Sequence, residues 1–220
     1  FHEYLEFKGV YLHKHIYDLI LQYDTICSYS ELSGVIKYDK GIRNTLFKFL
    51  SAAEERLRSV LFDDCDIDYK LKSIEKSKVK SSDLIDKESL TDSNLYFYSF
   101  SKNFNFGELK NLLGSRSLLS IDELIDLRLI RDLRNKVMHH NLITTSFHTT
   151  RSLVETELNE LERAIEALYR LLPKPMRIPF EKAINRCNHI TDTNKVRNIS
   201  KLCLGVFTDG VFIQENNTSL

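Results

Sequence analysis

The residues best equipped for chemistry in this 220-residue chain fall in one short string, Arg131-Asp132-Leu133-Arg134-Asn135-Lys136-Val137-Met138-His139-His140-Asn141. Arginine, asparagine and two adjacent histidines supply a fixed cation, an amide and groups that titrate near neutral pH. Those are the parts needed to cleave a phosphodiester without a metal. Leu127, Ile130, Leu133 and Val137 repeat at helical spacing, so the string closes an amphipathic helix. Arg131, Asn135 and His139, four apart, form a polar row on another face. Such a row is ordinarily solvated surface, and a structural ion pair or a capped helix end would also account for Arg134 and His139. His140 leans toward the apolar side and reads as a hydrogen-bonded packing residue, and Asn141 as a C-cap.

The spacing adds a constraint. Arg134 and His139 are five residues apart, which on a regular helix separates them by ~140° around the axis. They converge on one phosphate only if the helix loosens at Met138, or if two copies of the string meet across a twofold axis. An isologous interface does the latter by bringing the same patch from both protomers together.

Rival chemistries lack their parts. There is no glycine-rich phosphate loop, no GxSxG elbow and no paired-carboxylate motif. Cys187-x-His189 has no second ligand pair at suitable spacing, so neither a metal nor any other cofactor is expected. His13 and His15 read as surface residues, and Arg58 as a surface partner of Glu54.

The elements that must position the string are helical. Leu12, Ile16, Leu19 and Tyr23 mark a first helix, and Leu46, Leu50, Ala53, Leu57 and Leu61 a second. Asn105 with Glu108, Ser120 with Glu123, and Ser152 with Glu155 read as capping boxes that open three more. The last of these carries Val154, Leu158, Leu161, Ile165, Leu168 and Leu172, a seam suited to the core or to a second copy of the chain. Between the second and third helices, Asp63 to Phe104 holds five lysines from Lys70 to Lys80 and a Ser/Asp/Lys-rich stretch. It reads as a solvated loop or insertion, with RNA steering as the alternative. Tyr96 to Phe100 suits a short strand or core-facing aromatics. Pro173, Pro175 and Pro179 break the periodicity. Beyond them, Phe180, Ile184 and Cys187 outline a short helix, Val196, Ile199 and Cys203 another, and Asp209-Gly210 between apolar pairs signals a hairpin. The expected fold is all-α: a helical bundle over residues 1–172 and a small helical and hairpin extension over 173–220.

Composition agrees with a globular chain: 42% apolar and 28% charged residues, with 7 Gly and 3 Pro. At this length a core buries ~70% of the unfolded surface without disulfide staples. Thirty-one basic and 31 acidic side chains cancel, which argues against non-specific coating of nucleic acid but allows a local basic site. Four scattered cysteines without a CxxC pair suggest a reducing compartment, and so a cytoplasmic location. No apolar run reaches the ~18–20 residues of a membrane span. A start at Phe1 rather than Met points to missing N-terminal sequence.

Arg134-Asn135-x-x-x-His139 resembles the R-x4–6-H signature of the HEPN domain (higher eukaryotes and prokaryotes nucleotide-binding), an all-helical fold that includes many ribonucleases. The fuller string, Leu133-Arg134-Asn135-x-x-x-His139-His140-Asn141, is similar to the LRNxxxHHN pattern of bacterial abortive-infection (Abi) proteins of the AbiD/AbiF type. Asn105-Phe106-Gly107-Glu108-Leu109 resembles that family's (S/T)FGxL helix start, and Glu54 to Ser59 its E-x-x-x-R-S segment. Two departures stand out: Leu142-Ile143-Thr144-Thr145 follows where the family often has Arg, an aromatic and Asn, and Met138 replaces a frequent Ala.

The resemblance, over roughly residues 5 to 172, implies a HEPN-like bundle and metal-independent endoribonuclease activity in phage defence. His139 would be the general base or acid and Arg134 would hold the charge of the phosphorane. Asn135 would orient the histidine or bind a phosphate oxygen, and Arg131, Lys136, His140 and Asn141 would lie along the RNA. It also implies a homodimer with a composite cleft, and restraint by a protein or RNA antitoxin. The alternative is a catalytically silent HEPN module that binds RNA or a partner protein. A helical scaffold with an accidental R-x4-H would instead bury the motif within the monomer.

Overall fold

The computed structural model describes residues 9–23, 27–63, 105–115, 117–139, 141–144, 150–193 and 203–213. Among the described residues the fold is all-α with one small hairpin. Its helices are α1 (Val10–Ile20), α2 (Tyr29–Asp63), α3 (Phe106–Ser115), α4 (Ile121–Met138), α5 (Arg151–Leu171) and α6 (Lys174–Thr193), followed by β1 (Val206–Thr208) and β2 (Val211–Ile213). The expectations for the lysine-rich segment, for Tyr96 to Phe100 and for a helix through Val196 and Ile199 lie outside the described residues.

α2 is the spine. Its 35 residues extend well upstream of the Leu46–Leu61 stripe. The start is set by a capping box: Glu31 N–H donates to Ser28 Oγ (3.3 Å) and Ser28 N–H to Glu31 Oε2 (2.7 Å). Gly34 and Gly41 weaken the local helical signal. Burial of Leu32, Val35, Ile36, Tyr38 and Ile42 overrides that weakness. α3, α4, α5 and α6 all pack on α2, α4 lies along α5, and α1 covers the early part of α2. The α5 seam from Val154 to Leu172 is buried within the single chain.

Capping boxes open α3 (Asn105 and Glu108) and α4 (Ser120 and Glu123) as expected. The third differs. α5 starts at Arg151 behind Thr150, which makes no side-chain cap, and Glu155 pairs instead with Arg151 at 2.8 Å. At the other end of α5, Arg56 donates to the Leu171 carbonyl, and Arg177 to those of Leu172 (3.1 Å) and Arg170 (2.7 Å). Cations thus meet the negative end of the helix dipole.

The prolines interrupt the chain less than their number suggests, because α6 resumes at Lys174. Pro175 lies in the first turn, where its missing N–H has no helical acceptor to satisfy. Pro179 loses one ladder bond, and the full burial of Phe180 and Ile184 outweighs it.

The hairpin turns at Asp209-Gly210, both with positive φ (49° and 82°), and pairs Phe207 with Phe212. It is clipped onto the bundle. Asn185 exchanges two hydrogen bonds of 2.8 Å with the Phe207 backbone, and Asn188 Nδ2 donates to the Leu204 and Gly205 carbonyls. Buried Glu162 accepts from Gly205 N–H at 2.9 Å. Tyr38 accepts from Leu204 N–H (2.8 Å) and donates to Asn188 Oδ1 (2.7 Å). Phe49, Phe180 and Phe207 stack edge to face at 4.9 and 5.8 Å, so α2, α6 and the hairpin share one core.

Candidate functional site

The Arg131–Asn141 string ends α4, whose inner face is Leu127, Ile130, Leu133 and Val137, all buried. The helix stays regular through Met138, and His139 caps it at φ −87°, ψ 8°, its N–H still bonded to the Asn135 carbonyl at 3.1 Å. Asn141 is not the cap. It lies two residues beyond, where its N–H closes the turn onto the Lys136 carbonyl at 3.0 Å, the long bond of a Schellman motif. The helix therefore does not loosen ahead of His139, and the ~140° separation from Arg134 persists.

The string sorts by face. Asn135 and His139 are exposed, on the stripe that also carries Ile121, Ile125, Arg128 and Asp132. Ile121 is 78% and Ile125 50% exposed, large apolar areas in line with the polar pair. Arg131, beside that stripe, pairs with Asp132 at 3.0 Å. Lys136 is half-buried and lines a shallow pocket between α4 and α5, with Asp132 and Glu160 also at its wall. Asn141 is exposed, and His140 lies outside the described residues.

Arg134 faces the other way, onto α2. Its side chain is 30% exposed and its Nε stands 3.7 Å from Glu54 Oε2; Glu54 Oε1 holds Arg58 at 2.6 Å. The expected Glu54–Arg58 pair is present but half-buried rather than on the surface, with side chains 12% and 19% exposed, and the same carboxylate also serves Arg134. Arg134 is thus brought to Glu54, and Asn135 and His139 to solvent. One protomer does not place all three around a single phosphate.

The turn after the string is held by a residue that sequence reasoning passed over. Asp39, on α2 and fully buried, accepts through Oδ1 from Ile143 N–H (2.8 Å), Thr144 N–H (3.0 Å) and Thr144 Oγ1 (3.1 Å). Its Oδ2 accepts from Arg43 Nε at 2.7 Å. The backbone donors of that turn are therefore committed to Asp39. A signal was present: one acid among Val35, Ile36, Tyr38 and Ile42, with a cation four residues on.

His13 corrects another expectation. It is buried, 5% exposed, with Nδ1 3.0 Å from the Gly9 carbonyl. Among the described residues no cluster of three His, Cys, Asp or Glu side chains is placed to hold a metal ion. No helix among them is long and apolar enough to cross a membrane. Compared with known proteins, the chain matches no family model, no curated protein and no solved structure.

Proposed function

We propose that this chain is a metal-independent endoribonuclease of the HEPN type, working as a homodimer through the exposed stripe of α4. The observation that carries the reading is the solvent-facing pair Asn135 and His139 at the C-terminal end of that helix, with Arg134 one residue before Asn135. His139 moves the proton as the ribose 2′-hydroxyl attacks the adjacent phosphate and the 5′-oxygen leaves. Arg134 neutralises charge on the phosphorane, a contribution worth ~10²–10³ in rate for a preorganised donor. Asn135 binds a phosphate oxygen or orients the histidine. Arg131, Lys136, His140 and Asn141 contact the flanking RNA. The products carry 2′,3′-cyclic phosphate ends, and DNA, lacking the 2′-hydroxyl, is inert.

The regular helix supports the dimer, because Arg134 and His139 meet only if a second copy supplies one of them. Ile121 and Ile125 supply apolar area on the same stripe. The setting that goes with this reading is cytoplasmic phage defence by an Abi-like effector under a protein or RNA antitoxin.

One observation favours a second reading. Arg134 lies against Glu54, as it would in a silent module that binds RNA or a partner protein. Incubating a mixed RNA pool with EDTA separates the two. The enzyme cleaves, and Arg134→Ala and His139→Ala lose cleavage while keeping their helical signal and melting curve. If no RNA is cleaved by wild type, yet RNA is retained on a filter, the ribonuclease reading is refuted.

A further inference from the structure

α2 and α6 run antiparallel, as the contacts Tyr38–Asn188, Thr45–Cys187 and Phe49–Phe180 show. Between them opens a groove of about 580 Å³, none of whose lining belongs to α4. Among the described residues its charged lining is wholly cationic: Lys48 from α2, and Lys182 and Arg186 from α6. All three are exposed, and among the described residues none forms an ion pair. In a chain of zero net charge this is a local surplus. Lys182 and Arg186 are one turn apart, ~6 Å along α6. Exposed Lys37 lies on the same α2 stripe as Lys48, ~16 Å away, and extends the row; Glu55 ends it on the other side.

The groove is not only charged. Pro179 lines it, and Ile178, 60% exposed, stands at its mouth beside Lys182. Unneutralised cations next to an open apolar shelf suit a ligand that alternates anionic groups with flat apolar faces. Single-stranded nucleic acid has that chemistry. An acidic peptide supplies the charges without the faces.

We propose that the α2–α6 groove binds a segment of single-stranded RNA, with its phosphates on Lys48, Lys182 and Arg186 and a base or ribose face against Ile178 and Pro179. The choice of RNA rests on the ribonuclease reading, whereas the groove itself stands on its own charges. It anchors the strand at a second place, since no residue of the α4 string lines the groove.

The test uses a fluorescein-labelled 2′-O-methyl oligouridine, which 2′-hydroxyl attack cannot cleave, followed by anisotropy across a salt series. Each phosphate contact on a single strand adds about 0.7 to the slope of log affinity against log salt. Lys182→Gln with Arg186→Gln therefore lowers the wild-type slope by about 1.4 and weakens low-salt binding at least ~10-fold at an unchanged melting temperature. Ile178→Ala weakens binding and leaves the slope alone. An unchanged slope in the double variant overturns the proposal, as does polyglutamate competing as well as the oligonucleotide at equal charge. If wild type cleaves no RNA while the groove-dependent slope persists, the ribonuclease reading fails and the groove stands. Cleavage with no groove dependence of binding is the reverse result.

Discussion

Asp39 offers the sharpest test of how α2 holds the turn that follows the α4 string. Its side chain is fully buried and carries four hydrogen bonds, two of them from the backbone N–H groups of Ile143 and Thr144. In Asp39→Ala those two donors lose their acceptor in a buried site, at about 1–3 kcal/mol each. Arg43 also loses its anion, but at 17% exposure it can turn toward water, so the N–H groups dominate. The expected loss is about 3–4 kcal/mol, which for a chain of this size lowers Tm by ~10 °C. Asp39→Asn keeps an Oδ1 acceptor for the turn but presents an amide to Arg43, and should lose only about 1–2 kcal/mol. Urea unfolding with a common m-value measures both, and amide exchange locates the effect, with Ile143 and Thr144 opening faster in the alanine variant. An Asp39→Ala loss below about 1 kcal/mol, the size of an ordinary surface change, would refute the role of Asp39 as the turn's buried acceptor, as would an asparagine variant as unstable as the alanine one.

Burial raises the Tyr38 hydroxyl pKa well above its ordinary value of 10.0. The folded state thus holds this proton more tightly than the unfolded chain does. Its contribution is whole below about pH 10 and is lost as pH rises from there toward the folded value, by ~1.4 kcal/mol per pH unit. Tyr38→Phe should remove that part of the alkaline decline and lower neutral stability by about 2 kcal/mol, since Leu204 N–H and Asn188 Oδ1 lose their partner. Denaturation across pH 8–11 (roughly the range the linkage spans) checks this, and the same alkaline slope in both proteins would contradict it. Gly210 has φ +82°, and a Cβ there would stand 3.0 Å from Tyr169 Oη. Gly210→Ala should therefore cost about 1–2 kcal/mol, read from thermal melts, and an unshifted melt counts against the turn geometry.

Much was legible in the sequence because local rules set it. The apolar stripes of α2, α4 and α5 follow from periodicity alone, and each residue of the Leu46–Leu61 and Val154–Leu172 rows is buried. The openings of α3 and α4 follow from capping chemistry within four residues, and the hairpin from Asp209-Gly210, where both residues take positive φ. The ~140° between Arg134 and His139 was likewise available from residue spacing, because a regular helix has one geometry. What tertiary structure decided is pairing between distant segments, to which spacing is blind. Glu54 meets Arg134 across two helices, and Asp39 reaches Ile143 and Thr144. Lys48 comes to face Lys182 and Arg186 only because α2 and α6 are antiparallel. The same holds for α6 itself: Pro179, which locally opposes a helix, is carried by the burial of Phe180 and Ile184 against α2, a gain that exists only once the two helices pack.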